Sequence, residues 1–423
     1  MRMTAIPDHD FAPGHLDRCQ VCGSKDLKLV VDLGHQPLCD SLLTTERLNH
    51  PEPTFPLRFL VCRSCTAGQI DHVVDGSTVY HPAYPYRSGI TRELASHLEN
   101  LSRDLGKLAS LKAGDLVVDI GSNDGTLLKG FKAAGMRVLG VEPTNISEIA
   151  RAEGVETEKA FFGEDLAKRI AAERGRARLV TATNMFAHMA GLGSTIRGVR
   201  AMLADDGLFV LENHYLLDIM KTLQYDSIYH EHLRSYSIRS LIVLFGFYGM
   251  SVVDAHRVSS YGGSIRVVVS PRKDLSISAQ GSALLAEEAD AGLAGDDVWD
   301  RFAGRVAKAR VGLLDLAFDC LKKGIPFVGN SCPGRSATLI NSTGIDRSMM
   351  PYIAEQPTSL KLGLHLPGKH IPVVNNEILA RTQPEYVLLL AWHYAAPIAK
   401  YLRERGVRSK LVVPLPEVHV LDV

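Results

Sequence analysis

Two Cys-x-x-Cys pairs, Cys19-Gln-Val-Cys22 and Cys62-Arg-Ser-Cys65, set the strongest constraint on the start of this chain. Each pair is followed by a glycine or a small residue. A knuckle of this kind lets backbone N–H groups point at thiolate sulfurs, and two knuckles complete a tetrahedral four-sulfur site. The flanking runs LKLVVDL and PLRFLVC read as short strands. The expectation is a zinc-ribbon-like domain over residues 1–80, with a structural Zn2+ on Cys19, Cys22, Cys62 and Cys65. A closed site leaves no open position for catalysis, so this metal holds the fold. The chain has seven cysteines, five of them within the first 65 residues. An odd, clustered set in a reducing compartment points to metal rather than disulfides. Cys39 has no partner spacing and reads as a core thiol.

Beyond residue 80 the pattern changes to alternating strands and helices: LVVDIGS, GTLLKGFKAAG, MRVLGVEP, ISEIARAEGV. Alternation of this kind implies parallel βαβ units. The loop Asp119-Ile-Gly121-Ser-Asn123-Asp124-Gly125 ends one strand and opens a helix. Its glycines permit a tight turn and a close backbone approach to a ligand at the helix N-terminus. Glu142 ends the next strand, where an acidic residue binds ribose hydroxyls. A loop for a dinucleotide pyrophosphate avoids acidic residues. S-adenosylmethionine carries a sulfonium and an amino group, so it tolerates Asp119 and Asp124. The cofactor-binding set is therefore Asp119, Gly121, Asn123, Gly125, Glu142 and Asn184. A dinucleotide, or a merely structural turn, is the competing reading.

Strands LFVLENH, MSVVDAHRV and SIRVVVS complete this part to about residue 282. An amphipathic helix from SALLAEEADAGL through RVGLLDLAFDCLKKG then leads into a third part, residues 283–423. There IPFVGNS, HIPVVN, EYVLLLAW and KLVVPLP read as strands, with ATLINSTGI and APIAKYLRERG as helices. The fold class is α/β. Lysine plus arginine equal aspartate plus glutamate at 47 each, which argues against a nucleic-acid-binding protein. No signal peptide or spanning segment is visible. A cytoplasmic monomer, with no nucleic-acid or membrane partner, is expected.

The densest titratable cluster is Tyr225-Asp-Ser-Ile-Tyr229-His230-Glu231-His232, with Tyr236 close behind. Histidine and carboxylate beside tyrosine suit proton abstraction and stabilisation of an oxyanion. His188 follows a strand that ends at the carboxyl edge of the sheet, where ligands bind. Tyr84 and Tyr86 follow the zinc part, and the glycine pair in Tyr261-Gly262-Gly263-Ser264 permits close ligand approach. Against this stand bland readings: a core histidine at 188, ordinary aromatic packing at 84 and 86, and a purely structural hydrogen-bonded run at 229–232. Histidines at i and i+2 do not share a helical face, which disfavours a catalytic metal.

Taken together, the zinc knuckles, DIGSNDGTLL, NMFAHM, YHEHLRSYSIRSL, YGGSIR, PGKHIPV and EYVLLLAW resemble the sugar C-methyltransferases that act on nucleotide-linked 4-ketohexoses. The resemblance covers nearly the whole chain in order. It implies a zinc-binding N-terminal domain, a central class I, Rossmann-like S-adenosylmethionine domain and a C-terminal Rossmann-like domain, with the sugar nucleotide held between domains. Carried over by position, it implies functional roles for Tyr229, Glu231, His232, His188 and one of Tyr84 and Tyr86. The implied reaction removes the C3 proton beside the 4-keto group, with His232 as the base, before the carbon takes the methyl. Glu231 would orient an imidazole or bind a sugar hydroxyl. The chain departs from the family at Gly329-Asn-Ser-Cys332-Pro-Gly334-Arg335-Ser, where arginine replaces lysine and serine the next glycine, and at His393, where asparagine is usual. Those departures concern the nucleotide or the sugar. The rivals are a sugar O-methyltransferase, a zinc-ribbon nucleic-acid methyltransferase and a non-catalytic cofactor sensor.

Overall fold

A computed structural model describes residues 6–81, 84–85, 87–90, 92–259 and 262–421. Tyr86 and Tyr261, singled out above, lie outside the described residues.

The two cysteine knuckles sit at the ends of an antiparallel sheet. Leu27–Pro37 pairs with Thr54–Cys62, which pairs with Gly68–Ile70. The outer strand of this sheet is Arg234–Ser235, which immediately follows the Tyr229–His232 run. The N-terminal sheet therefore takes an edge from residues expected to belong to the middle part. That pairing pulls the Tyr229–His232 run against the zinc region.

The middle sheet has seven strands. Numbered along the chain within the sheet, their spatial order is 3-2-1-4-5-7-6. Strand 1, Leu116–Ile120, is buried at every position, as a parallel strand covered on both faces must be. It lies between Arg137–Val141 and Ala177–Thr183. Order reverses there, which opens a crevice at the carboxyl ends of the strands. The last two strands, Ser251–Val258 and Ser264–Ser270, pair antiparallel as their sequence spacing suggests.

The long amphipathic segment expected after residue 282 is two helices, Ala279–Asp290 and Asp296–Lys323. Gly292, at φ 72°, breaks it. The C-terminal sheet has six strands in order 3-2-1-4-5-6, five parallel and the last antiparallel. One of them, Ile353–Glu355, was not expected. Three residues are too few to show a period. Among the described residues no helix is long and apolar enough to cross a membrane.

Candidate active site

The carboxyl ends of both parallel sheets and one edge of the N-terminal domain face a cleft of about 460 Å3. On its middle-domain wall lies the loop after Leu116–Ile120. Gly121 has φ 70°, and a Cβ there would sit 2.4 Å from the Met185 side chain. Gly125, at φ 75°, would meet Val155 at 2.9 Å, so packing alone demands that glycine. Glu142 accepts hydrogen bonds from the Asn123 amide at 3.1 Å and from the amide and hydroxyl of Thr144 at 2.9 and 2.7 Å. It shapes the loop and still lines the cleft, and its oxygens keep lone pairs for a ribose.

Asn123 and Asp124 turn outward to other tasks. Asn123 Oδ1 accepts the Ser88 amide at 2.8 Å. Asp124 takes the Gly89 amide at 2.8 Å and the Arg87 guanidinium at 2.9 Å. They fasten segment 87–89, which follows Tyr84, over the loop. Asp119 is buried, accepts Thr181 Oγ1 at 2.6 Å and is pushed up to about 7 by that burial. Asn184 has φ 54°, and its Oδ1 is buried without a hydrogen-bond partner among the described residues. Such an acceptor suits a cationic, amino-bearing ligand. A neighbouring cavity of about 270 Å3 runs past Met185 and Pro143 to Phe161 and Phe162. Its apolar walls fit a flat aromatic base.

The expected catalytic residues form a chain of rings. The Tyr229 and His232 centroids lie 4.0 Å apart, and His232 lies 4.8 Å from both His188 and His214. His188 Nδ1 shares a 2.8 Å hydrogen bond with the Tyr80 hydroxyl, and Tyr80 packs edge-on to Tyr84. His232 Nδ1 stands 2.7 Å from the Ser227 carbonyl. A carbonyl accepts only, so Nδ1 carries the proton and Nε2 the lone pair. Burial pushes this imidazole down to about 4, which keeps it neutral at ordinary pH. Burial also holds the Tyr80, Tyr84 and Tyr229 hydroxyls well above their usual range, so they remain donors.

Among the described residues Glu231 makes no hydrogen bond to an imidazole. Its Oε2 accepts Tyr84 at 2.8 Å and its Oε1 accepts the Cys39 thiol at 3.3 Å. Orienting His232 falls instead to the Ser227 carbonyl. Burial, reinforced by Asp40, lifts Glu231 to about 8. Asp40 is itself bonded to Lys361 Nζ at 2.6 Å. Lys361 comes from the C-terminal domain, as does Cys332, whose carbonyl accepts the same ammonium at 2.8 Å. Cys39 is thus a core thiol, as expected, and also a neighbour of the site.

The C-terminal wall repeats the middle wall. Glu355, at the end of Ile353–Glu355, accepts the Cys332 amide at 2.7 Å. The helix Arg335–Thr343 opens right after this loop. Arg335 is buried beside Trp392 and Asp226, and His393 lines the cleft.

Of the residues expected at the site, Tyr84, Tyr229, Glu231, His232, His188, Asp119, Gly121, Asn123, Glu142 and Asn184 line the cleft. Gly125 stands behind it, and Tyr86 lies outside the described residues. Tyr80, His214, Asp40, Lys361 and Glu355 were not anticipated. Tyr80 carried one weak signal, its place four residues before Tyr84.

The four knuckle sulfurs lie within 4.8 Å of one another, with Cys19–Cys65 and Cys22–Cys62 at 3.5 Å. Zn–S bonds of about 2.3 Å in a tetrahedron put sulfurs roughly 3.8 Å apart, so the donor set fits zinc. The Val21 and Cys22 amides point at Cys19 Sγ, at 3.3 and 3.5 Å.

Comparison with known proteins agrees in order along the chain. Residues 19–80 match a family described as a zinc binding domain, residues 86–255 a methyltransferase domain, and residues 259–416 a C-methyltransferase C-terminal domain. The solved PH0226 protein of Pyrococcus horikoshii aligns with 47% of this chain and 100% of its own, at 17% identity and a TM-score of 0.36. Magnesium protoporphyrin IX methyltransferase of Synechocystis aligns with 42% of this chain and 83% of its own, at 17% identity and a TM-score of 0.32. Overlaps that partial say nothing of the reaction. C-methyltransferase NovU of Streptomyces niveus is 36% identical over 412 residues, 96% of this chain and 97% of that protein. A match of that depth runs through the knuckles, the cofactor loop and the histidine cluster alike, and so the chain belongs to the S-adenosylmethionine-dependent C-methyltransferases with a zinc-binding N-terminal domain.

Proposed function

We propose that this C-methyltransferase adds its methyl group to C3 of a nucleotide-linked 4-keto hexose, as a step towards a branched-chain sugar. The observation that carries the reading is His232. It is neutral, it has its proton fixed on Nδ1 by the Ser227 carbonyl, and it lies among tyrosine donors in the cleft. That combination suits removal of a proton from carbon next to a ketone.

When bound, S-adenosylmethionine supplies an electrophilic methyl on a sulfonium. The residues of this chain do the rest. Gly121, Glu142 and Asn184 would hold the cofactor, and Asn123 and Asp124 hold the segment that would cover it. The ketone acidifies the C3 proton, and His232 Nε2 takes it. The electron pair moves towards the carbonyl oxygen, where Tyr229, and Tyr80 or Tyr84, donate to the developing enolate. A bound S-adenosylmethionine would supply its methyl to that carbon, the S–C electron pair staying on sulfur so that neutral S-adenosylhomocysteine would leave. His188 contacts the substrate or serves as the alternative base. Glu231, lifted to about 8, holds Tyr84 in place or binds a sugar hydroxyl. Zinc on Cys19, Cys22, Cys62 and Cys65 stays structural. The division into residues 1–80, 81–282 and 283–423 assigns cofactor to the second part and the nucleotide end of the substrate to the third.

The test is incubation with TDP-, GDP- and CDP-linked 4-ketohexoses and S-adenosylmethionine, followed by mass spectrometry and NMR. The expected product gains one methyl and shows a quaternary carbon at C3. A methoxy signal instead would make the enzyme an O-methyltransferase. No methyl gain with any of these sugars would contradict the substrate class.

A further inference from the structure

Two acceptors compete for one hydrogen on Tyr84. Glu231 Oε2 stands 2.8 Å from its hydroxyl, and the developing enolate needs the same O–H as a donor. An ionised Glu231 offers lone pairs only and keeps that hydrogen to itself. A protonated Glu231 reverses the bond. Its own O–H then donates to the Tyr84 oxygen across the same 2.8 Å, and the phenol O–H turns into the cleft. The charges around Glu231 decide which form exists.

The titratable groups that face Glu231 are Cys39, Asp40, Tyr80, Tyr84, Tyr229 and Lys361. Cys39, Asp40 and Glu231 are all buried, and their Sγ and carboxylate oxygens lie within 4.8 Å of one another. Two of these three groups are carboxyls. Lys361 supplies one ammonium, and that ammonium sits on Asp40: Nζ donates to Asp40 Oδ1 at 2.6 Å and to the Cys332 carbonyl at 2.8 Å. The backbone of the C-terminal loop closes over the same group. A Cβ on Gly334 would lie 3.1 Å from Asp40 Oδ2 and 3.3 Å from Cys39 Sγ. One ammonium balances one carboxylate. Two buried carboxyls this close, with one cation, do not both ionise. The carboxyl without the lysine keeps the proton. Burial and the Asp40 charge both push Glu231 in that direction, to about 8.

We propose that Asp40 and Lys361 are positioning residues for the methyl transfer: their ion pair leaves Glu231 holding a proton, and Glu231 in turn aims the Tyr84 hydroxyl at the enolate oxygen. Glu231 keeps that proton through the whole cycle, because the enolate returns to a ketone when the carbon takes the methyl. The aim of Tyr84 rests on the enolate reading above, whereas the proton on Glu231 does not.

Infrared spectroscopy reads the proton with no substrate present. The spectrum of wild type minus that of Glu231→Gln at pH 7 should show the carbonyl band of a protonated carboxyl. Asp119 contributes equally to both and cancels. The band should vanish as pH rises through about 8. A difference spectrum without it overturns the proposal, whatever the sugar. Asp40→Asn leaves the ammonium facing Glu231, so the carboxyl ionises more readily. The band should fade at pH 7, and the alkaline limb of kcat should move down by about one unit or more. Adding Lys361→Met removes that ammonium and should carry the limb back up. A structural defect would lower kcat without moving the limb. A limb that Asp40→Asn leaves in place, or that Lys361→Met fails to bring back, overturns the role of the pair. Tyr84→Phe should lose turnover by tenfold or more, within about the range of a lost oxyanion donor; an unchanged kcat overturns the aiming of Tyr84. Failure of the 4-keto sugar reading would show instead as no turnover by wild type, with both infrared results standing.

Discussion

The middle and C-terminal sheets share the strand order 3-2-1-4-5 and one further detail. In each, a glutamate at the end of strand 2 accepts an amide of the loop after strand 1: Glu142 from Asn123, and Glu355 from Cys332. The loops themselves differ in charge. Asp119 and Asp124 lie in the first, whereas the second has no acid between Asn330 and Arg335 and ends in that buried arginine. One backbone plan thus presents two electrostatic faces across a shared cleft. Of the two acids, Asp124 is already paired with Arg87, which leaves Glu142 and the Asn184 Oδ1, unpartnered among the described residues, on this wall to suit a sulfonium and its amino group. A loop with an arginine at a helix N-terminus suits a diphosphate. The difference teaches that sheet topology places a ligand, and a few loop charges choose its sign.

The most drastic way to break this comparison is to remove the part that both walls lean on. Arg234–Ser235 ties the Tyr229–His232 run to the zinc domain, so Cys22→Ser or Cys62→Ser should give insoluble protein or no cooperative melting. Elemental analysis of protein purified without chelator should show one zinc per chain. Well under one would contradict the four-sulfur site.

A milder and sharper test separates the two walls. Glu142→Ala should weaken S-adenosylmethionine by about 1.5–3 kcal/mol, the range for a lost charged hydrogen bond, and leave sugar-nucleotide affinity alone. Glu355→Ala should do the converse. Calorimetry with each ligand gives four numbers. Equal losses for both ligands in either variant would dissolve the division of labour.

The pH profile carries smaller effects. Activity should fall below about pH 4, as His232 takes up a proton, and above about pH 8, as Glu231 loses one. Cys39→Ser keeps the fold but puts a stronger donor on Glu231. A hydroxyl stabilises the carboxylate, so the alkaline limb should move to lower pH by less than about one unit. Activity that rises rather than falls through about pH 8 would mean that Glu231 works ionised.

Much of the middle wall was legible in sequence because local rules impose it. Gly121 and Gly125 sit at positive φ against side chains that leave no room for a Cβ, and only glycine meets both demands. The cysteine spacing is equally local. The C-terminal wall was harder to read. Its strand Ile353–Glu355 has three residues, and its loop uses Ser331 at φ 68° in place of glycine. Nothing near Cys39 or Asp40 announces Glu231 or Lys361, which lie 192 and 321 residues away. Tyr80 and His214 are single residues whose meaning comes from the rings they meet in space. A pattern along the chain carries the elements, while the contacts among domains arise only when the chain has folded.

The central claim is that His232, at the seam of the two walls, removes a proton from carbon. Isotope exchange tests it without the methyl step. The enzyme is incubated in D2O with S-adenosylhomocysteine and the 4-keto sugar nucleotide that it methylates. Wild type should wash deuterium into C3, because deprotonation does not need the methyl donor. His232→Asn should bind the cofactor normally, lose about 10²–10⁴-fold in turnover and show no exchange. Exchange at the wild-type rate in that variant would contradict the account and pass the proton to His188 or a tyrosinate.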